Sequence, residues 1–306
     1  MKITELCGLF GKTKQGYYKQ IKRIEETRIA EMLVLEMIKE KRKLWKKGSG
    51  RNLHASLKGE FKRHNIKMGR DKFFDLLRTN GLLMSRKQRK VRTTLSYHHF
   101  HKYPNIIKDI VVDKPNQVIV SDITYIWIED VESFAYLFLI TDMYSRKTIG
   151  YSLSEDMQTK SGLVALRMAV RAMKDTTGCI HHSDRGIQYC SHKYTEYLKK
   201  SKMLISMTEN GDPLENPIAE RVNGILKGEF TLGKQISFPS FSVAKKQVTR
   251  IIDFYNNERP HRSIEMLTPA EAYKREGKLK RMWKAYYQKN EKKKEAAEKI
   301  IEEEKY

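Results

Sequence analysis

Cysteine is scarce in this chain of 306 residues, which has only Cys7, Cys179 and Cys190. An odd number at mostly wide spacing excludes a disulfide framework and a cysteine-based zinc site. It fits reduced thiols in a cytoplasmic protein. Long apolar runs are missing too. No stretch of 18 or more apolar residues occurs, which excludes a transmembrane helix and a membrane partner. The opening residues, Met1-Lys-Ile-Thr-Glu-Leu, lack the apolar centre of a signal peptide.

Basic residues are abundant, and the net charge is +23. Its distribution is uneven. Residues 1–105 hold 27 Lys and Arg against 9 Asp and Glu. Residues 106–277 hold 23 against 22, and residues 278–306 hold 10 against 6. A basic part beside a neutral one points to a polyanion-binding module attached to a part that does chemistry. A mere solubility bias would spread the charge over the whole chain.

The apolar spacing divides the chain into five parts. Residues 1–50 read as a helix-turn-helix and a connecting helix. In the first helix Ile3, Leu6, Leu9 and Phe10 form an apolar face, and Gly11 breaks it. A second helix over 14–22 turns Tyr17, Tyr18 and Ile21 inward and Lys14, Gln15, Lys19 and Lys22 outward, toward a DNA major groove. A third helix spans about 25–45, and Gly48-Ser-Gly50 stops it. Residues 51–95 read as a second helical DNA-binding unit. Leu53, Leu57 and Phe61 mark one helix there, and Phe73, Leu76 and Leu77 the next. Arg86, Lys87, Arg89, Lys90 and Arg92 follow, either as a phosphate-contacting arm or as a solvated charge run. Residues 96–115 read as a linker. Its His98, His99 and His101 have no Cys or His partners at zinc spacing, which leaves them a structural or surface role.

From residue 116 to 277 the pattern changes to strands and helices. Strands are expected over 118–127, 134–141 and 147–153, antiparallel and joined by short turns. The second is almost wholly apolar and should be central. Asp142, Ser145 and Arg146 fit a structural turn. Helices over 159–174 and 191–200 alternate with short strands over 179–182 and 204–207. A helix from Asn216 carries Glu220, and another covers 241–256. The fold class is therefore α/β: a mixed five-stranded sheet flanked by helices, preceded by an all-α region. Residues 278–306 form a charged helical tail.

Two acids lie at strand ends: Asp122 in Val118-Ile-Val-Ser-Asp and Asp184 in Cys179-Ile-His-His-Ser-Asp-Arg-Gly. Glu220 sits on a helix, in Asn216-Pro-Ile-Ala-Glu-Arg-Val-Asn-Gly-Ile-Leu-Lys227. Each alone has an ordinary explanation. An Asp at a strand end is commonly a turn residue or a cap, and Glu220 could pair with Arg221 or Lys227. Together, three carboxylates suit two divalent ions about 3.5–4 Å apart that drive an in-line phosphodiester displacement. Asp122 would bridge them, and Asp184 would lie beside it at the strand ends. Asn223 and Lys227 share the face of Glu220 and, with Arg185, His182 and Arg221, are candidate contacts to the DNA backbone.

The same residues resemble the Asp-Asp-Glu transposases and retroviral-type integrases. Between Asp184 and Glu220 lie 35 residues, the spacing that names the superfamily. His182-Ser-Asp-Arg-Gly-Ile-Gln-Tyr resembles the second-Asp motif of bacterial insertion-sequence transposases of the OrfB type, and the Glu220 segment resembles their third motif. Tyr255-Asn-Asn-Glu-Arg-Pro-His-Arg, then Leu267-Thr-Pro-Ala-Glu-Ala-Tyr, resembles their C-terminal signature. There Arg259 and His261 are structural or DNA-contacting. The third motif departs from its usual opening, Gly-Asp-Cys-Tyr-Asp-Asn. Here Pro213 stands for Cys and Glu215 for Asp, so the loop before the helix is expected to differ in shape.

The resemblance implies a ribonuclease-H-like fold and Asp122, Asp184 and Glu220 as catalytic, metal-binding residues for two Mg2+ or Mn2+ ions. It implies a nucleoid-associated bacterial enzyme that cuts mobile-element ends and joins a 3′-hydroxyl to DNA. The implied partners are double-stranded DNA (terminal inverted repeats and target), further copies of the chain in a homo-oligomer, and an OrfA frameshift partner. Two alternatives stand beside it: a catalytically silent transposase-derived regulator, and a structure-selective nuclease on the same fold.

Overall fold

A computed structural model describes residues 3–84, 100–209, 215–230, 232 and 237–282. The chain forms two compact units, Met1–Lys87 and Gln88–Tyr306.

The first unit is helical: α1 (Ile3–Leu9), α2 (Lys14–Leu44), α3 (Gly50–Arg63) and α4 (Arg70–Thr79). Thr13 caps α2, its hydroxyl accepting the Gly16 N–H at 3.0 Å. The helices expected over 14–22 and 25–45 are one helix of 31 residues. Lys22-Arg-Ile-Glu25 contains good helix formers and neither Gly nor Pro, so nothing stops propagation there. Tyr17 and Tyr18, expected inward, are exposed and pack edge to face at 5.6 Å. Apart from Cys7 on α1, the buried apolar side chains among the described residues of this unit come from later turns: Val34, Ile38 and Trp45, then Leu53, Leu57 and Phe61, then Phe73 and Leu77. Gly48-Ser-Gly50 serves as a start as much as a stop, because Ser49 caps α3 through the Asn52 N–H.

The second unit is built on five strands: β1 (Val118–Ile128), β2 (Ser133–Asp142), β3 (Thr148–Ser154), β4 (Ile180–Ser183) and β5 (Leu204–Met207). Their order is β3-β2-β1-β4-β5. The first three are antiparallel, while β4 pairs parallel with both β1 and β5. This is the mixed ribonuclease-H-like sheet expected. The apolar β2 is interior, but the middle strand is β1.

Helices cover both faces. On one side α5 (Thr159–Ala172) and α7 (His192–Lys200) bury Leu163, Leu166, Ala169, Tyr194 and Leu198 with Ile119, Phe138 and Ile140. The approach of α5 to β3 requires Gly150, where a Cβ would lie 2.2 Å from the Ala165 carbonyl oxygen. On the other side α8 (Pro217–Glu229) places Ala219 against Val118, Val120 and Ile180. A four-residue helix, α6 (Ile187–Cys190), follows β4, and α10 (Pro269–Ala272) lies near the end of the described chain.

The C-terminal signature fastens α9 (Phe241–Asn257) to the edge of the sheet. The Asn256 side chain accepts the Thr148 N–H and donates to the Thr148 carbonyl, both at 2.9 Å. Tyr255 donates to the Arg146 carbonyl at 2.9 Å. Asp142 is buried in its turn, accepting the Asn116 N–H and both the N–H and hydroxyl of Ser145. The described part of the segment expected as a linker lies on the sheet. Pro104 accepts from Met207 N–H, and Ile107 is buried beside Val118.

Candidate active site

The parallel register of β1 with β4 sets Val118 opposite Ile180 and Val120 opposite His182. Two residues further, the same offset brings Asp122 level with Asp184, just past the end of β4. Neighbouring strands lie about 4.8 Å apart, and alternate residues share a face. Both carboxylates therefore arise on the α8 side of the sheet. A turn holds Asp184, whose Oδ1 accepts the Gly186 N–H at 3.0 Å. A Cβ at Gly186 would press on that oxygen and on the Gln188 amide.

Helix α8 is bolted to these strands beside the two acids. The Asn216 amide donates to the carbonyl of Ser121, next to Asp122, at 3.1 Å. Nε2 of His182, two residues before Asp184, meets the Glu215 carbonyl at 3.1 Å. Asn223 donates to Asp122 Oδ2 at 2.5 Å. Glu220 lies in the first turn, its N–H on the Asn216 carbonyl, and its side chain is exposed. On the opposite face, the buried His181 Nε2 joins the Ser121 hydroxyl at 2.7 Å and the Tyr194 hydroxyl at 3.0 Å. That network ties β1, β4 and α7 together beneath the site.

The electrostatics register the convergence. The Asp122 carboxyl is pushed up to about 7, first by desolvation, then by the charge of Asp184, with a smaller push from Glu220. Hydrogen bonds from Ile123 N–H and Asn223 pull the other way. This is the state of a buried carboxylate with like charges nearby. Among the described residues, no three His, Cys, Asp or Glu side chains are gathered closely enough to hold one ion as they stand. The donor set itself, hard oxygens with Asp122 lacking enough positive charge around it, suits Mg2+ or Mn2+. His182 is held neutral, its pKa lowered to about 4 chiefly by burial.

Integrase core domain families match residues 112–213 and 201–269, together more than half of the chain. The transposase of insertion sequence IS629 from Shigella sonnei is 32% identical over 214 residues, 69% of this chain and 70% of that protein. The 31 kDa protein of insertion element IS600, also from Shigella sonnei, is 31% identical over 270 residues, 87% of this chain and 96% of its own. The chain belongs to the integrase-core transposases of bacterial insertion sequences. This transposase is also similar to the IS904 transposase of Lactococcus lactis, 27% identical over 71% of this chain and 91% of that one. Among solved structures it is similar to the HTLV-2 integrase catalytic core domain in complex with magnesium. There the TM-score is 0.41 and the identity 15%, over 52% of this chain and 97% of the other. DNA transposition is the process this family serves.

The remaining expected residues of the transposase fall into separate places. Lys14, Gln15, Lys19 and Lys22 are exposed on the first turns of α2. Arg86, Lys87, Arg89, Lys90 and Arg92 lie outside the described residues, as do His98, His99 and Pro213. Arg185 is half-buried beside Asp184, Arg221 is exposed, and Lys227 is half-buried. Asn223 does not face outward as expected. It is 7% exposed, because its position on α8 turns it onto β1, where Asp122 takes its amide. His182 is likewise fully buried, with both ring nitrogens engaged. Arg259 is buried in a bidentate pair with Glu229, the last residue of α8, at 2.7 and 2.8 Å. His261 is buried edge to face on Tyr255. Sequence reasoning missed Ser121, Asn216 and Glu229 as supports. Strand alternation was the available signal for His182, which shares the face of Asp184.

Proposed function

We propose that this transposase cuts the ends of its mobile element and joins the freed 3′-hydroxyl to target DNA, with Asp122, Asp184 and Glu220 as its catalytic carboxylates. The observation that carries the reading is geometric: the β1–β4 register brings Asp122 level with Asp184, and the Asn223 amide on Asp122 ties the helix of Glu220 to the same strand. Asp122 and Asp184 would hold Mg2+ or Mn2+ from the sheet, and Glu220 from the helix. Bound there, two ions supply Lewis acidity to the attacking oxygen and to the leaving oxygen. Asp122 is oriented by the Ile123 N–H and Asn223, so one carboxylate geometry is presented. Asp184 is oriented by Gly186. In each joining step the 3′-hydroxyl oxygen loses its proton and bonds to phosphorus while the scissile 3′-oxygen departs and takes up a proton as a new 3′-hydroxyl, so bonds and protons balance.

The basic first unit fits recognition of the terminal inverted repeats, with Lys14, Gln15, Lys19 and Lys22 toward the phosphates and grooves. Arg86, Lys87, Arg89, Lys90, Arg92, Arg185 and Lys227 are further candidates for backbone contact. Pairing two element ends fits a working form that is a homo-oligomer, assembled with an OrfA partner where one is encoded. The test is strand transfer on DNA carrying the element's inverted repeats, with Mg2+ or Mn2+. Asp122→Asn and Glu220→Gln should each abolish joining while leaving DNA binding intact. Joining at the unaltered rate in either variant would remove the assignment.

A further inference from the structure

His182 has more to do than its place beside Asp184 indicates. Its two ring nitrogens lie in one directed chain of hydrogen bonds. The Glu215 carbonyl can only accept, so Nε2 carries the proton and donates to it across 3.1 Å. Nδ1 must then accept, and the Ser206 hydroxyl of β5 donates to it across 2.9 Å. The Ser206 oxygen, its proton spent on the ring, accepts the Ile106 N–H at 3.1 Å. Every donor meets an acceptor, and both His182 and Ser206 are fully buried.

The far end of this chain is the start of α8. Glu215 immediately precedes Asn216, the N-cap residue, whose side chain makes no capping bond and reaches β1 instead. The carbonyl of Asn216 holds the N–H of Glu220. Glu215 is fixed a second time, by its carboxylate on the Glu209 N–H. This is the position where the sequence departs from the usual Asp of the third motif.

We propose that His182 is a positioning residue for Glu220: its Nε2–H anchors the Glu215 carbonyl and so registers the first turn of α8 against the strand that leads to Asp184. The proposal rests on the catalytic reading of Glu220 above. It assigns His182 to the protein scaffold and withdraws it from contact with the scissile phosphate. A supporting bond behind a metal ligand typically changes metal affinity about 10–100-fold when lost.

Two substitutions in the full chain separate the two nitrogens. An Asn side chain reaches the place of Nδ1, and a Gln side chain that of Nε2. His182→Gln therefore keeps a donor for Glu215, whereas His182→Asn keeps only the Ser206 side. The first readout is amide hydrogen exchange over residues 216–223 without metal or DNA. The second is the Mg2+ concentration for half-maximal strand transfer. H182N should exchange faster over that segment and need about tenfold or more Mg2+, while H182Q stays near the unaltered chain in both. Equal behaviour of the two variants, whether both intact or both impaired, overturns the proposal. Should H182N not fold, His182→Ala, which removes the donor to Glu215, takes its place: faster exchange over 216–223 than in H182Q supports the proposal, and exchange equal to that of H182Q overturns it. Exchange is read without catalysis, so the catalytic reading fails separately, if the unaltered chain never joins DNA ends with Mg2+ or Mn2+.

Discussion

Asn223 donates its amide to Asp122 across 2.5 Å and so joins the helix of Glu220 to the central strand of the sheet. The bond stabilises the ionised carboxylate and lowers its pKa, against burial and the charge of Asp184. Asn223→Ala should therefore move the Asp122 carboxyl above its present value of about 7. A hydrogen bond to a charged group contributes about 1.5–3 kcal/mol, or roughly one to two pH units. Carboxyl carbon NMR of the metal-free protein reads the shift directly. An unmoved titration would show that this bond does not tune Asp122.

Protons and divalent ions should compete at the same carboxylate. Below about 7 the metal-free Asp122 holds a proton, which an incoming ion must displace. Apparent Mn2+ affinity should rise about tenfold per pH unit up to neutrality and level off above it. Calorimetry at pH 6, 7 and 8 tests this. The sign for stability is opposite. The folded pKa is raised above the unfolded value of about 3.9. This group's contribution is therefore fully present below that value and is lost as pH rises through about 7. Added Mn2+ should restore it.

Arg259 and Glu229 form a bidentate pair in which the Arg side chain is 4% exposed and the Glu 20%. Removing one partner leaves an uncompensated, largely buried charge, at about 3–5 kcal/mol. Arg259→Ala should lower the urea midpoint of the catalytic unit accordingly. Arg259→Lys should recover only part, since an ammonium cannot match the planar fork. A midpoint within error of the unaltered protein in R259A would refute the strut role.

Gly150→Ala is expected to be among the costliest small substitutions. The added methyl would meet backbone, the Ala165 carbonyl at 2.2 Å, rather than a movable side chain. Either α5 shifts off the sheet or β3 bends, at roughly 1–3 kcal/mol or more. Thermal unfolding measures the loss, and a melting temperature lowered by less than a degree would contradict the packing described.

Much of the second unit was legible because its elements carry plain periodicities. Alternating and continuous apolar runs marked β1, β2 and β3 within a few residues, and the segment from Asn216 marked α8. The first unit was read less well. Tyr17, Tyr18 and Ile21 have helical spacing that suits a core face, yet both tyrosines are exposed, and spacing alone cannot tell a buried stripe from an exposed one. The break placed near residue 23 failed for a related reason, since a helix continues wherever nothing in the chain stops it.

By itself the sequence determined that two acids belong to strands and a third to a helix, in a chain whose net basic charge is concentrated in its first third; Asp122, expected at a strand end, lies inside β1, because the strand runs on to Ile128. Periodicity and composition are local properties, and they sufficed for that. Only the tertiary structure decided what meets what. The parallel register of β1 and β4 joins residues 62 positions apart and brings Asp122 level with Asp184. The turn of α8 sends Asn223 inward and leaves Glu220 exposed. Burial made His182 and Arg259 into supports instead of DNA contacts. Contacts of such sequence separation are fixed by packing, because side chains pair according to the faces their elements bury and not their distance along the chain.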